Sequence, residues 1–348
     1  MERIIEGVRI KIDDVVVCAK EGMTVLDAAT ENGIYIPHLC HHPDLVPAGV
    51  CRMCGVEING RVVMSCLTPV SEGLEVKTDT DAVQQSRRVA MELLLVNHEG
   101  DCLACGANNQ CELQKAVAYI GVREEVMKNL RRSGRVLPID TSNPFFDFNP
   151  NLCILCGVCV RTCDEIQGVN AIDFVNRGYD TIVGSFGGWS WIESECESCG
   201  ECVVRCPVGA LMPRNTQVPA REIKSVCVYC GVGCNIHIGV RGNKIVRVRA
   251  DRDNPVNFGS LCVKGRFGYE FINHPDRLTT PLIKKNGEFV EASWDEALDL
   301  VANKFKTTKG EKFAALCSAK CTNEDNYIVQ KFTRGAMETN TIDHCARL

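Results

Sequence analysis

Twenty-three of the 348 residues are cysteines, and nearly all of them stand in tight runs. Thiols two or three residues apart cannot all pair with one another as disulfides. The opening Met1-Glu2-Arg3-Ile4-Ile5-Glu6 carries acids and no long apolar stretch, so it does not read as a secretory signal. In a reducing compartment such spacing is metal-ligand spacing. Which metal, and in how many sites, is read from the runs one by one.

The first group is Cys40, Cys51, Cys54 and Cys66, spaced Cys-x10-Cys-x2-Cys-x11-Cys. A plant-type 2Fe–2S loop has about four residues where this one has ten, and four thiolates could equally hold zinc. The second group, His98-x3-Cys102-x2-Cys105-x5-Cys111, also leaves zinc open. The third is an internal repeat. Cys153-x2-Cys156-x2-Cys159-x3-Cys163 recurs as Cys196-x2-Cys199-x2-Cys202-x3-Cys206, closed by Pro207 in the second copy, whereas Asp164 follows the first. This is the two-cluster ferredoxin run, in which the fourth cysteine of each run serves the other cluster. Three cysteines wrap one corner of a cubane and the fourth must arrive from elsewhere. Cys153, Cys156, Cys159 and Cys206 are therefore expected at one 4Fe–4S cluster, and Cys196, Cys199, Cys202 and Cys163 at the other. Four cysteines in eleven residues, twice over, are hard to reconcile with zinc. The last group is Cys227, Cys230 and Cys234, joined later by Cys262. Cys18, Cys317, Cys321 and Cys345 stay unassigned, with Cys18 expected as a packed core thiol between Val17 and Ala19.

Short elements must position these ligands. Val8, Ile10 and Ile12 alternate as a strand, Val15 to Val17 begin its partner, and a helix follows from Thr24, closed by Gly33. Thr24 and Asp27 make a capping box there. Residues 81 to 97 read as an amphipathic helix with Val89, Leu93, Leu94 and Val96 on its apolar side, leading to His98. Residues 120 to 150 form a charged connector, and a hairpin is expected around Gly184 to Trp191, between the two cysteine runs. A strand pair turns at Gly242-Asn243. A strand near Phe313 to Leu316 and a helix near Asn323 to Met337 begin an α/β domain.

The motifs carry a resemblance. Pro37-His38-Leu39-Cys40 through Cys51-Arg52-Met53-Cys54-Gly55-Val56, and then the His98 motif, resemble the front of the large iron–sulfur subunit of complex I and of iron-only hydrogenases. Cys227 to Cys234, Gly259-Ser260-Leu261-Cys262-Val263-Lys264-Gly265-Arg266-Phe267, His274 to Leu282 and Trp294-Asp295-Glu296-Ala297-Leu298 resemble the amino-terminal domains of molybdopterin-dependent oxidoreductases. Cys317 to Tyr327 and Asn340-Thr341-Ile342-Asp343-His344-Cys345-Ala346-Arg347-Leu348 are similar to the formate dehydrogenase catalytic subunit.

The resemblance implies an α+β, multidomain chain. Residues 1–78 would be a 2Fe–2S ferredoxin-type β-grasp domain, 79–119 a 4Fe–4S domain with one His and three Cys ligands, and 120–220 a connector with a two-cluster ferredoxin domain. Residues 221–280 would be a molybdopterin-oxidoreductase 4Fe–4S domain, and 281–348 the start of the molybdopterin-binding domain. It implies one 2Fe–2S cluster on the Cys40 group and 4Fe–4S clusters on the His98, ferredoxin and Cys227 groups. Molybdenum or tungsten bis-pterin guanine dinucleotide would belong to a longer protein only. Lys264 resembles an electron relay between the Cys227 cluster and the pterin. The residue that binds the metal in formate dehydrogenases, a selenocysteine or cysteine, would follow Leu348, so this chain is expected to contain no catalytic residue. A UGA codon read as a stop would give such an end, as would an engineered or natural short form.

The implied activity is formate oxidation or carbon dioxide reduction, with electrons leaving singly through five clusters. No Gly-x-Gly-x-x-Gly or phosphate loop is present, so a flavin- or NAD(P)-binding iron–sulfur subunit, a ferredoxin or a hydrogenase subunit is the expected acceptor. A non-catalytic iron–sulfur subunit of a complex I-like or hydrogenase complex is the alternative, and a zinc-binding interaction protein a more distant one. An iron-only hydrogenase would continue differently after its first two hundred or so residues. The net charge of −5 argues against nucleic acid or an anionic membrane as a partner. The longest apolar runs fall short of the roughly 18 residues that span a bilayer, so no membrane insertion and a cytoplasmic location are expected.

Overall fold

The structure, a computed structural model, describes residues 7–345 apart from 99, 131–135, 189, 216 and 320. The opening Met1 to Glu6 and the closing Ala346-Arg347-Leu348, on which the reading of the two ends rests, lie outside the described residues. The chain divides into two compact units, Met1–Arg214 and Asn215–Leu348. No helix among the described residues is long and apolar enough to cross a membrane.

The first unit opens on an antiparallel pair, β1 (Val8–Ile12) and β2 (Val15–Ala19), followed by α1 (Val25–Glu31). Thr24 and Asp27 form the capping box, which satisfies two amides that the helix start would leave bare. Val25, Leu26, Ala28 and Ala29 then face Ile10, Ile12, Val17 and Ala19 in one core. Val25 and Leu26 are wholly buried, each contributing about 2 kcal/mol of apolar transfer. The hairpin β3 (Gly55–Ile58) and β4 (Arg61–Met64) follows, and β5 (Glu75–Val76) adds in parallel to β1. Strand alternation turns Cys18 outward: it is exposed, not the packed core thiol that its neighbours suggest.

Next comes α2 (Asp81–Val96), started by the Thr80 side chain, which accepts from the Val83 amide. Its apolar side differs from the sequence reading. Val83, Arg87 and Met91 are buried at successive i+4 positions, together with Glu92, while Val89 and Leu93 are exposed. Two buried polar groups turn the helix: Arg87 Nη2 donates to the Gly55 carbonyl (2.6 Å), and Glu92 accepts from Arg123 Nη2 (2.7 Å). After α2 come α3 (Glu112–Ile120) and α4 (Glu124–Leu130).

The repeat region is closed at its base by β6 (Phe146–Phe148), which pairs antiparallel with β9 (Leu211–Pro213). Between them lie α5 (Val158–Arg161), the hairpin β7 (Ile172–Val175) and β8 (Ile182–Ser185), and α6 (Glu201–Arg205). The inserted hairpin is thus earlier than Gly184 to Trp191, a stretch in which the end of β8 runs into 3-10 turns. Trp191 there packs on Phe146 and Phe148, with ring centroids 5.6 and 5.1 Å away, so its burial and not a turn fixes that segment.

The second unit holds the antiparallel sheet β10 (Arg221–Val226), β11 (Asn235–Arg241) and β12 (Lys244–Ala250), turning at Gly242-Asn243. Glu222 on β10 meets Arg249 and Arg247 on β12, which hold its carboxyl down at about 2. Then follow α7 (Val263–Phe267), the hairpin β13 (Leu282–Lys285) and β14 (Glu288–Glu291), and α8 (Trp294–Lys306) capped by Ser293. Last are β15 (Ala315–Cys317), α9 (Asn323–Gly335) and β16 (Ile342–His344), with β16 parallel to β15.

Candidate iron–sulfur sites

The Cys40 group is drawn together by the β-grasp core. Cys51 and Cys54 sit on the loop before β3, and Cys66 lies in the 3-10 turn after β4. Cys54 Sγ lies 3.3 Å from Cys66 Sγ. The thiol of Cys51 hydrogen-bonds Cys40, and with amide support this holds Cys40 down at about 6. Cys54, held by Cys66, falls to about 7. Cys40, Cys54 and Cys66 are each only 1% exposed. Arg87 and His41 carry no signal in the cysteine spacing, yet both stand beside this group. Arg87 lies buried behind Gly55, next to Cys54, and the His41 ring, beside Cys40, reaches Asp27 at 3.2 Å.

His98, Cys102, Cys105 and Cys111 line one cavity of about 280 Å³, closed by Leu113, Val117, Leu152 and Gly209. That is many times the roughly 10–15 Å³ that one water needs on the same measure, so the space suits a multi-atom cluster. Burial lowers the pKa of the His98 imidazole and so favours its neutral form; its ring meets the Leu152 backbone, and Nδ1 is buried with no hydrogen-bond partner among the described residues. A Cβ on Gly209 would run into Cys105 Sγ, so a larger residue there would push that thiol aside. We expect His98→Cys to keep the iron of this site and to lower its reduction potential, because thiolate adds a negative charge that imidazole lacks. Potentiometric titration followed by paramagnetic resonance checks it, and an unchanged potential would rule out ligation by His98.

The ferredoxin repeat is built twice on one backbone plan. Leu155 and Ser198 adopt positive φ at equivalent positions, as do Gly157 and Gly200. The amides of Leu155 and Ser198 each point at a sulfur two residues back, Cys153 or Cys196, at 3.4 Å. Cys206 is an electrostatic neighbour of Cys153, Cys156 and Cys159, and Cys163 of Cys196 and Cys202. Burial pushes the Cys153 thiol up to about 11 and raises those of Cys159 and Cys202 well above the ordinary thiol range. Such thiols keep their protons unless bound cations supply positive charge.

In the second unit Cys227, Cys230, Cys234 and Cys262 are electrostatic neighbours, and the Cys227 amide donates to the Cys234 carbonyl (2.8 Å). Lys264 is exposed on α7, two residues beyond Cys262. Cys317 ends β15, and its carbonyl accepts from the Cys345 amide (3.3 Å). Among the described residues no three His, Cys, Asp or Glu side chains close on one point as they would around a single ion. Thiolates around a cluster stand apart by the width of its body, and the four donors that line the cavity at His98 fit that demand.

Family models match along the chain: a 2Fe-2S iron-sulfur cluster binding domain at residues 6–81, and the NADH-ubiquinone oxidoreductase-G iron-sulfur binding region at 87–125. A 4Fe-4S dicluster domain follows at 152–210, then the molybdopterin oxidoreductase Fe4S4 domain at 220–274 and the molybdopterin oxidoreductase model at 277–348. An NADH-quinone oxidoreductase G subunit of Rhizobium meliloti is 37% identical over 98% of this chain and 40% of its own length. The NADPH-Fe(3+) oxidoreductase subunit alpha of Geobacter sulfurreducens is 39% identical over 98% of this chain and 40% of its own. A Bacillus subtilis protein named "Putative formate dehydrogenase YrhE" is 34% identical over 99% of the chain and 40% of its length. The chain thus spans about 40% of the length of these relatives. Among solved structures, a chain in the crystal structure of NAD+-reducing [NiFe]-hydrogenase in the H2-reduced state is similar at TM-score 0.52 and 30% identity, over 61% of this chain and 91% of that one. Carrying 2Fe–2S, 4Fe–4S and oxidoreductase-G modules ahead of a molybdopterin oxidoreductase domain, the chain belongs to the molybdopterin oxidoreductase superfamily.

Proposed function

We propose that this chain is the electron-conducting front of a molybdopterin-dependent formate dehydrogenase catalytic subunit. The observation that carries the reading is that three of the cysteine sites border the fourth in the first unit. Cys40 and Cys156 lie in one buried cluster, Cys206 feels Cys111, and Cys202 feels both Cys199 and Cys206. The Cys153 site would thus be the point where the other three meet, and a conduit for single electrons needs such proximity. Thiolates of the assigned groups, with His98, would hold one 2Fe–2S and four 4Fe–4S clusters, and amide-to-sulfur hydrogen bonds would set their potentials.

In the longer protein a molybdenum or tungsten bis-pterin group would supply the two-electron chemistry by which formate becomes carbon dioxide and a proton. Lys264, beside the Cys227 site, would serve as the electron relay there. The acceptor would be a flavin- or NAD(P)-binding iron–sulfur subunit, a ferredoxin or a hydrogenase subunit, and the location cytoplasmic. The relative named as a formate dehydrogenase supports the substrate. The identity to a quinone oxidoreductase G subunit supports a second reading, a pure electron carrier without the pterin metal.

The test is metal analysis and formate-dependent dye reduction on the full-length protein from its native host. One molybdenum or tungsten per chain together with formate oxidation is expected. Intact clusters with neither metal nor activity would move the assignment to the second reading.

A further inference from the structure

We propose that the ten residues between Cys40 and Cys51 are a docking loop that locks the first cysteine site onto the Cys153 site, with Arg161, Glu165 and Arg205 as its polar holds. The inference rests on the cluster reading above and concerns what the extra residues of that loop do. Leu45, at the loop's middle, is 5% exposed and buried with Cys40, Cys156 and Val158, and Cys51, Ile154 and Ile166 pack against them. Polar contacts flank it on both sides. The Glu165 carboxylate accepts from the Val46 amide at 2.7 Å, and Arg161 Nη1 donates to the Val46 carbonyl at 2.7 Å. Arg161 Nη2 donates to the carbonyl of Cys40 itself. From the second copy of the repeat, Arg205 Nη2 reaches the Asp44 carboxylate at 2.9 Å.

Two departures from ordinary ferredoxin patterns meet at this contact. One is the loop, longer than the plant-type loop by about six residues. The other is the missing proline after Cys163. Where the second run leaves its helix at Cys206 in extended backbone before Pro207, the first passes from α5 into a π-helical turn, Thr162–Ile166. The Gln167 amide bonds the Thr162 carbonyl at 3.2 Å, and the wider turn carries Glu165 and Ile166 to the loop. A proline at Asp164 would lack the amide and clash with the turn before it. Each feature alone is an oddity of spacing. Together they make a two-sided grip on residues 44 to 46, next to Cys40.

A grip of this kind fixes the separation of the two sites, and the test reads that separation. Full-length protein, reduced without oxygen, is compared with Arg161→Gln, Arg161→Lys and Glu165→Ala by iron content and by microwave power saturation of the 2Fe–2S resonance. In the parent protein a reduced cluster at the Cys153 site should speed relaxation of that resonance. Arg161→Gln and Glu165→Ala should retain the iron yet lose much of the relaxation enhancement, with Arg161→Lys in between. Should Arg161→Gln fail to assemble, Glu165→Ala, on an exposed carboxylate, decides alone. Unchanged relaxation in variants that keep their iron overturns the docking role only. Absence of a 2Fe–2S resonance from the parent protein overturns the cluster reading, and the docking role with it.

Discussion

Protein purified without oxygen is expected to carry about eighteen iron atoms per chain with a matching amount of acid-labile sulfide, from one 2Fe–2S and four 4Fe–4S clusters. Stripping that iron with a chelator should abolish cooperative melting of the first unit. The reason lies in what its interior is made of. Cys40, Cys54, Cys66, Cys156, Cys159 and Cys202 are all buried, so ligands and core are the same residues. The helices that bear the repeat, α5 and α6, run four and five residues, far too short to persist by propensity. Without metal, burial favours the protonated thiols of Cys159 and Cys202, and the space between them has no packing partner. Iron and sulfide assays with calorimetry before and after chelation measure both parts. Stoichiometric zinc with little iron, or an unchanged melting transition after iron loss, would sink the reading.

How much of this was legible in the sequence divides along a physical line. Local signals read well: the Thr24–Asp27 capping box, the turn at Gly242-Asn243 and the doubled cysteine spacing are each set by neighbours a few residues apart. What depended on distant partners did not. The buried side of α2 was misread because Arg87 and Glu92, polar in any hydropathy pattern, are inside only by virtue of Gly55 and Arg123. Cys18 was misread for a different reason: its apolar neighbours Val17 and Ala19 point inward, and period-two alternation should have sent the residue between them outward. Arg161 could have been noticed as the one charge in a four-residue helix otherwise of valine and cysteine. Its target, the loop after Cys40, lies 121 residues away, and no local pattern names it.

The same long-range character sets the second large effect. Glu201 is wholly buried on α6, one turn before Arg205, whose side chain is 4% exposed and pairs with it. Arg205 also spans 161 residues to Asp44. Glu201→Ala would leave a buried guanidinium with one fewer anion, and breaking a buried pair from one side costs about 3–5 kcal/mol. For a unit of this size that amounts to a fall in melting temperature on the order of 10 °C. Removing the charge from both ends is a different matter. In Glu201→Leu combined with Arg205→Met, no wholly buried ion is left stranded, since Asp44, which also loses Arg205, is about a third exposed, and apolar groups of similar volume fill the site. That double variant should recover most of the loss, because the pair's attraction is largely offset by the cost of stripping water from both ions. It should not recover the hold on Asp44, so its 2Fe–2S resonance should relax more slowly than that of the parent even though its melting point is restored. Calorimetry and power saturation on the same samples separate the two effects. A double variant as unstable as Glu201→Ala would show that the pair contributes net stability to α6. Normal relaxation in it would show that Arg205 is dispensable to the grip on the loop.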